Sequence, residues 1–574
     1  MSLNIMGIWA SDDSSSCCLL QDGVVRFTAQ EKSFCENGSQ KFIPVKAFHY
    51  CLDSADISIT DIDCIVLCKE PEKVLETQIF KNVHRMRNKE NHPFRPRLTV
   101  DKIKSFFGYN GFVTSVEHQM AHAAFSYYSS DFDEAAIMVI DTAGPWTLTF
   151  YAYGNGKEIG MFEHDTNLSA VSIMLYLIMD YLGFRKENEW YKVKLLAKGG
   201  KPVYSAKIEE FMQYLEKEKI YIYQSGAEMN EICKKYSERL TEILQIPPSN
   251  AVGCVTQIHR DVARSMQLIF EELVLERAKY IYERTNLRNI CIAGNLVIDS
   301  VVNMKVLEKL PFENVFVHRA CDDNTCAIGA AMEEYLEQTK RLKPLKTIDN
   351  LFLGIEYSQE QIGHVLRAAD MEYEDYYGRE DLLLSFITDM LIEGKVVGWF
   401  QGRNGIGSVY PYTRLILADP RKQDLYGDIC CALKSNDGLI PIYYTMLDNK
   451  LDKNYLNKVN CQTVTEDIKT SMTEKLTEFN HMGHLIENML LVNLQEAPLL
   501  YKLIQNFYKS TGFPMLANTP LRLRNGENVL SLLEAIEMFI TSKIDLLVIG
   551  NFVLDREKNM KPFISWLRIQ FINL

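Results

Sequence analysis

At 574 residues, with 47% hydrophobic and 24% charged residues, the chain has the composition of a folded protein too long for one core, so two or three domains are expected. Its 62 basic and 75 acidic residues leave a net charge of −13, which argues against an anionic membrane surface and against non-specific nucleic-acid binding. No apolar run reaches transmembrane length, residues 1–7 do not read as a signal peptide, and fourteen scattered cysteines without a paired CxxC exclude a zinc ribbon and read as reduced thiols, so a cytoplasmic location is expected.

In chain order, residues 3–9 predict a strand, followed by a Ser/Asp-rich turn over 11–16 and a second strand over 17–20. A tight turn at Gln21-Asp22-Gly23 leads to a third strand over 24–29. That opening resembles the start of an actin-like ATPase fold, whose first turn faces phosphate, and it equally suits a plain antiparallel meander. Residues 42–55 predict an amphipathic helix entered through Pro44, and 64–67 a buried strand. The stretch 69–104 is basic and irregular, which reads as a surface excursion or as a loop facing phosphate or an acceptor.

The chain is organised around His118 and His122. Four residues apart, they fall on one face of a helix, where two imidazoles can grip one divalent cation through a nitrogen each. Their small neighbours Ala121, Ala123 and Ala124 equally suit a packed helix. An apolar strand over 135–140 then ends in Asp141 and Thr142-Ala143-Gly144, which delivers a carboxylate into a glycine-containing turn. Residues 146–153 predict a strand, Gly154-Asn155-Gly156 a hairpin turn, and 169–182 a helix. Residues 189–200 carry Lys192, Lys194 and Lys198, as phosphate ligands or as solvated charge. Residues 206–244 are helical, and 255–285 form a long core-spanning helix. A strand beginning at Asn289 runs into Gly294-Asn295. Another over 315–318 leads to Asp322-Asp323, and a small-residue helix opens at Ala327, where an acid can cap the helix or hold a cation or phosphate.

In their order and spacing these stretches resemble the carbamoyltransferase family that includes the nodulation-protein and antibiotic-tailoring O-carbamoyltransferases. The resemblance runs over nearly the whole chain. It rests on His118 with His122-Ala123, Asp141 to Gly144, Gly294-Asn295 with Asp299, and Asp323 before its helix. Farther on it rests on Gly402-Arg403, Asp419-Pro420-Arg421, Asn518-Thr519 and Gly550-Asn551-Phe552. It implies an α/β chain of two domains. Residues 1–345 would form an actin-like ATPase domain similar to the tRNA threonylcarbamoyl-transferase type. Residues 351–574 would form a smaller α+β domain similar to its adenylate-forming partner, with 396–400 and 546–549 as central strands.

The resemblance further implies that the second domain condenses ATP and carbamoyl phosphate to carbamoyl-adenylate. The first domain would pass the carbamoyl group to a hydroxyl of a small-molecule natural-product acceptor, over an iron-type divalent metal, Fe2+, on His118, His122 and Asp323. Catalytic positions fall by the same resemblance on Ser11, Asp13 and Asp141. Cofactor-binding positions fall on Gly294, Asn295, Asp299, Lys192, Arg403, Arg414, Asn518 and Thr519. Homodimer and hetero-oligomer both stay open.

The chain also departs from the family. Where the family reads E-F-G-P-R-A-L-G, it has Gly405 to Tyr412, with Val409 in place of arginine. Two further arginine positions are Asn436 and Ile440, and the family's opening histidine is Ser11. Valine and isoleucine lack the planar charged fork that arginine offers a phosphate. Arg403 and Arg414, with Lys434 and Arg522, are the cations expected to remain near that pocket. The functional expectations are therefore a carbamoyltransferase, a family member with altered acyl-transfer chemistry, or a non-catalytic partner of an active carbamoyltransferase.

Overall fold

The computed structural model describes residues 2–11, 14–34, 43–68, 100–141, 149–156, 158–165, 169–184, 190–217, 236–246, 256–294, 300–318, 320, 322–341, 345, 352–405, 412–433, 439–450, 489–523 and 526–559. Asp13, Asn295, Asp299, Val409, Lys434, Asn436 and the turn Thr142 to Gly144 lie outside these residues. The chain divides into two compact units, Met1–Ile348 and Asp349–Leu574.

The first unit opens with β1 (Asn4–Ala10), β2 (Ser15–Gln21) and β3 (Val24–Gln30), an antiparallel meander. Asp22 and Gly23 close the second hairpin with φ of 48° and 77°, the pair of left-handed residues that a two-residue turn demands. Helix α1 (Val45–Ala55) follows, then β4 (Cys64–Cys68) and β5 (Phe112–Val116), both parallel to β1, in the sheet order β3-β2-β1-β4-β5. Helix α2 (His118–Tyr128) leads into a second sheet built from β6 (Glu134–Ile140), β7 (Thr149–Asn155) and β8 (Glu158–Asp165). After the long helix α3 (Gln257–Thr285) this sheet gains β9 (Asn289–Ala293) and β10 (Asn314–Phe316), parallel to β6, in the order β10-β9-β6-β7-β8. The two sheets repeat one plan: three antiparallel strands, then two parallel to the first. That duplicated order is the actin-like ATPase fold.

Both central strands are buried on both faces, which is why β1 and β6 read as unbroken apolar runs. Side chains alternate along β1. Met6 and Ile8 face Phe48 and Cys51 of α1. On the opposite face Gly7 lies under helix α4 (Cys326–Gln338), where a Cβ on Gly7 would come within 1.9 Å of the Ala327 carbonyl oxygen. A Cβ on Gly329 would come within 1.8 Å of the Ala121 carbonyl oxygen in α2. Two glycines thus let α4 touch both β1 and α2 at backbone distance, and α4 is the helix that Asp323 precedes.

Several elements differ from the sequence expectation. Strand β5 was not expected: it is an edge strand with a mostly half-exposed side-chain pattern, so no apolar run announces it. Strand β8 mixes charged and apolar residues, and the short helices Trp190–Ala197 and Ser300–Lys309 add to the expected elements. Most of the basic stretch 69–104 lies outside the described residues, but its last residues form the start of a helix, Val100–Phe107, rather than irregular chain.

The second unit is one mixed sheet. Its strands are β11 (Glu374–Asp375), β12 (Val397–Phe400), β13 (Arg414–Ala418), β14 (Tyr443–Leu447), β15 (Met489–Val492), β16 (Met515–Pro520), β17 (Leu546–Ile549) and β18 (Phe552–Asp555). Their order is β11-β18-β17-β12-β13-β16-β14-β15, with β12 and β17 parallel neighbours near its middle. One face packs Trp399 and Leu417 against Ile387 and Phe507 from the helices Glu380–Glu393 and Pro498–Thr511. The other packs Phe400 and Ile416 against Ile362 and Ile536 from the helices Gln359–Ala368 and Leu532–Thr541. No described helix is long and apolar enough to cross a membrane.

The two glycine contacts generate a prediction. Gly329→Ala and Gly7→Ala should each lower the stability of the first unit by about 1–3 kcal/mol, the usual cost of overpacking a tight interface. Urea unfolding followed by circular dichroism measures this, and unchanged midpoints would contradict the close packing.

Candidate metal centre

The described geometry brings four side chains together from three places in the chain. His118 is the first residue of α2 and His122 lies one turn on, so both rings leave the same face, with centroids 4.6 Å apart and planes at 88°. Asp141 stands just past the end of β6, the central strand of its sheet. Asp323 begins the short turn Asp323–Thr325 that feeds α4. His118 Nε2 lies 2.6 Å from Asp141 Oδ2 and 3.8 Å from Asp323 Oδ1. His122 Nε2 lies 3.6 Å and 3.5 Å from the same two oxygens. One ligand atom from each of the four residues falls within 4.8 Å of all the others.

Both histidines and Asp141 are buried, and the Asp323 side chain is 21% exposed, which leaves the cluster its open side. Three of the buried donor atoms make no hydrogen bond: His122 Nε2, Asp141 Oδ1 and Asp323 Oδ1. Leaving buried polar atoms unpaired is costly, so a cluster of this kind calls for a further partner. A cation placed among them would satisfy all three, and the donor set of two imidazoles and two carboxylates suits one.

Electrostatics agree with the geometry. Burial works to lower both imidazoles, but the neighbouring carboxylates outweigh it and raise His118 to about 10 and His122 to about 9. Burial works to raise Asp141, but the two histidines outweigh it and hold its carboxyl well below the usual range. Protons therefore occupy the imidazoles at neutral pH, in the position a cation would take.

The surroundings contain residues that sequence reading passed over. Trp9, on β1, packs its ring 4.7 Å from that of His118 and donates its indole N–H to Ser14 Oγ at 2.8 Å. Ser16 Oγ donates to the Asn324 carbonyl at 2.8 Å, which ties the first hairpin to the turn carrying Asp323. Cys68, at the end of β4, lies with its sulfur 3.8 Å from His118 Nδ1. Burial works to raise that thiol, but hydrogen bonds from Cys326 and His118 and the adjacent imidazolium charge bring it down to about 6. A tryptophan in a strand or a cysteine in an apolar run carries no signal of such a neighbour, because the partners are distant in sequence.

Ser11 closes its own turn, accepting from the Ser14 N–H at 3.0 Å and donating to the Ser14 carbonyl at 3.0 Å. Gly294 takes a φ of 101° at the end of β9, and a Cβ there would lie 2.1 Å from the Ile140 carbonyl oxygen, so it sits beside the strand end that delivers Asp141. Lys192 stands in the helix Trp190–Ala197 with its ammonium 5.5 Å from the centre of the Phe184 ring.

In the second unit, Arg403 places its Nε 3.1 Å from a Glu356 carboxylate oxygen. Arg414 opens β13. It is 1% exposed, donates to the carbonyls of Gln401, Thr413 and Gly402, and stacks 3.6 Å from the Phe400 ring centre. Those contacts tie the guanidinium to the strand ends. Asn518 and Thr519 are consecutive buried residues of β16, so their side chains point to opposite faces of the sheet. Ile440 is buried among Ile429, Ile442 and Met446.

Comparison with known proteins sets this geometry in a family. The profile described as Carbamoyltransferase N-terminus matches residues 4–332, and that described as Carbamoyltransferase C-terminus matches residues 388–556. The chain is 26% identical over 599 aligned positions to the uncharacterized protein sll1178 of Synechocystis, covering 96% of each chain. It is 24% identical to the nodulation protein NolNO of Sinorhizobium fredii, covering 96% of this chain and 80% of that one. Among solved structures it is similar to T. kodakarensis HypF at 12% identity and a TM-score of 0.33, over 60% of this chain and 49% of that one. With both profiles matched in order across most of its length, the chain belongs to the carbamoyltransferase family.

Proposed function

We propose that His118, His122, Asp141 and Asp323 hold one divalent cation, and that the first unit transfers a carbamoyl group there to an acceptor hydroxyl. The observation that carries this reading is the convergence of His122 Nε2, Asp141 Oδ1 and Asp323 Oδ1, buried and without hydrogen bonds, beside the short His118–Asp141 contact. Two neutral imidazoles and two carboxylates balance a doubly charged ion and suit iron, manganese or zinc, with iron the ion that the family resemblance implies. When bound, such an ion supplies a Lewis acid for the carbamoyl carbonyl.

The chain's own residues do the rest. His118 Nε2 and Asp141 Oδ2, 2.6 Å apart, would both turn to the ion, and the Trp9 ring packs against that imidazole. Asp323, the least buried of the four, marks the side on which donor and acceptor approach. The apolar surroundings keep the carboxylates short of water, which strengthens their hold on a cation. In the finer form of this reading the donor is carbamoyl-adenylate and the acceptor is a small natural product.

A second reading concerns the source of the donor. Arg414 is committed to backbone carbonyls and Ile440 is packed in apolar core. Val409 and Asn436 remove two more arginines that the family places there. Each lost charge-assisted hydrogen bond costs a phosphate about 1.5–3 kcal/mol. This favours a chain whose donor is activated elsewhere, or one that partners an active carbamoyltransferase.

Two outcomes are expected. Metal binding to the chelator-stripped protein should release about two protons at pH 7, because imidazoles at about 10 and about 9 must deprotonate to become ligands. Affinity should accordingly rise with pH until those values are passed. Calorimetry in buffers of different ionisation enthalpy reads the proton count, and a count near zero would contradict the imidazole ligands. The second outcome concerns turnover. ATP with carbamoyl phosphate should yield no pyrophosphate above the ATP-only background, while supplied carbamoyl-adenylate should be consumed by hydroxyl acceptors in a metal-dependent way. Strong release dependent on carbamoyl phosphate would show that other cations serve the second unit. An absence of transfer with every acceptor would leave the non-catalytic partner.

A further inference from the structure

His118 has two ring nitrogens, and the cluster described so far uses one. Nε2 faces Asp141, while Nδ1 faces the other way, toward sulfur. Cys68 Sγ lies 3.8 Å from Nδ1, and the Cys68 sulfur, the Cys326 sulfur and a nitrogen of His118 all fall within 4.8 Å of one another. All three residues are buried. They come from three elements: Cys68 ends β4, His118 begins α2 and Cys326 begins α4. Two sulfurs and an imidazole nitrogen converging in this way form a ligand set for a soft cation, distinct in chemistry from the oxygen-rich set on the far side of the ring.

We propose that Cys68, Cys326 and His118 Nδ1 form a second cation site, selective for thiophilic ions such as Zn2+ or Cd2+, whose occupation excludes an ion from the first. The charges balance. Both cysteines bind as thiolates, and their two negative charges neutralise one doubly charged ion in a buried space that tolerates no net charge. The proton on Nδ1 leaves. A neutral imidazole then has a single lone pair and a single N–H. With the lone pair on the soft ion at Nδ1, the N–H must sit at Nε2, where Asp141 Oδ2 at 2.6 Å accepts it. Nε2 is then no longer a ligand for the first site. The mutual exclusion rests on the catalytic-cation reading above; the thiolate site does not.

Cd2+ is the probe, added to reduced, chelator-stripped, full-length protein. Thiolate-to-cadmium ultraviolet absorption should saturate with about one ion per chain. The background is a Cys430→Ser/Cys431→Ser variant, because Cys430 and Cys431 are the least buried of the described cysteines. The band should vanish in a further Cys68→Ser/Cys326→Ser variant. It should persist in Cys64→Ser, whose thiol lies 3.8 Å from Glu334 instead. Persistence of the band without Cys68 and Cys326 would overturn the proposal. If that variant does not fold, X-ray absorption of the wild-type cadmium form decides. Two sulfur neighbours and a nitrogen support the site, and oxygen and nitrogen neighbours alone overturn it.

A second arm follows Mn2+ binding by electron paramagnetic resonance. Prior Cd2+ should weaken it by at least roughly 100-fold, since a ligand itself is lost and disturbing a ligand's support alone costs about 10–100-fold. Unchanged Mn2+ affinity would overturn the exclusion. A protein that binds no Mn2+ at all would remove the catalytic-cation reading, and the cadmium arm would still decide the thiolate site.

Discussion

The first unit's site depends on one steric fact: the helix Cys326–Gln338 lies against strand Asn4–Ala10 and helix His118–Tyr128 at backbone contact. Gly7 and Gly329 make that approach feasible, since a single methyl at either would run into a carbonyl oxygen. The consequence is chemical. Asp323, at the foot of that helix, reaches 3.5 Å from His122 Nε2, and Cys326, in its first turn, arrives behind His118. A helix held a few ångströms farther out would leave two histidines and Asp141 without their fourth member.

Charge then shapes what the packing has assembled. Two carboxylates and two imidazoles are a poor group to bury, and each holds the other's protonation state away from its ordinary value. Protonated imidazoles are the arrangement that satisfies the carboxylates with no other ion present. A divalent cation provides the same positive charge and engages the atoms that otherwise make no hydrogen bond. The second unit shows the opposite tendency. There Ile440 is buried in apolar core and Arg414 donates to backbone carbonyls.

Much of the fold was legible because its central strands are buried on both faces and so read as continuous apolar runs, as β6 does up to Ile140. The histidine pair was legible from helical spacing, and Asp141 from its place at the end of such a run. Edge strand Phe112–Val116 was not, because an edge strand in contact with solvent loses the apolar signal. Trp9, Cys68 and Cys326 were not legible as neighbours of His118, because sequence spacing carries no trace of contacts made across three separate elements. Arg414 shows the same limit from the other side. A basic residue in a strand gives no sign in sequence of its burial or of its carbonyl partners.

The central claim is that the four side chains hold a single ion. Metal analysis of protein purified without chelator, set beside the His122→Ala variant prepared identically, tests it most directly. The account predicts about one divalent ion per wild-type chain and a small fraction of that in the variant, with circular dichroism unchanged. Equal metal content in the two proteins, or none in the wild type even after incubation with Fe2+, Mn2+ and Zn2+, would contradict it.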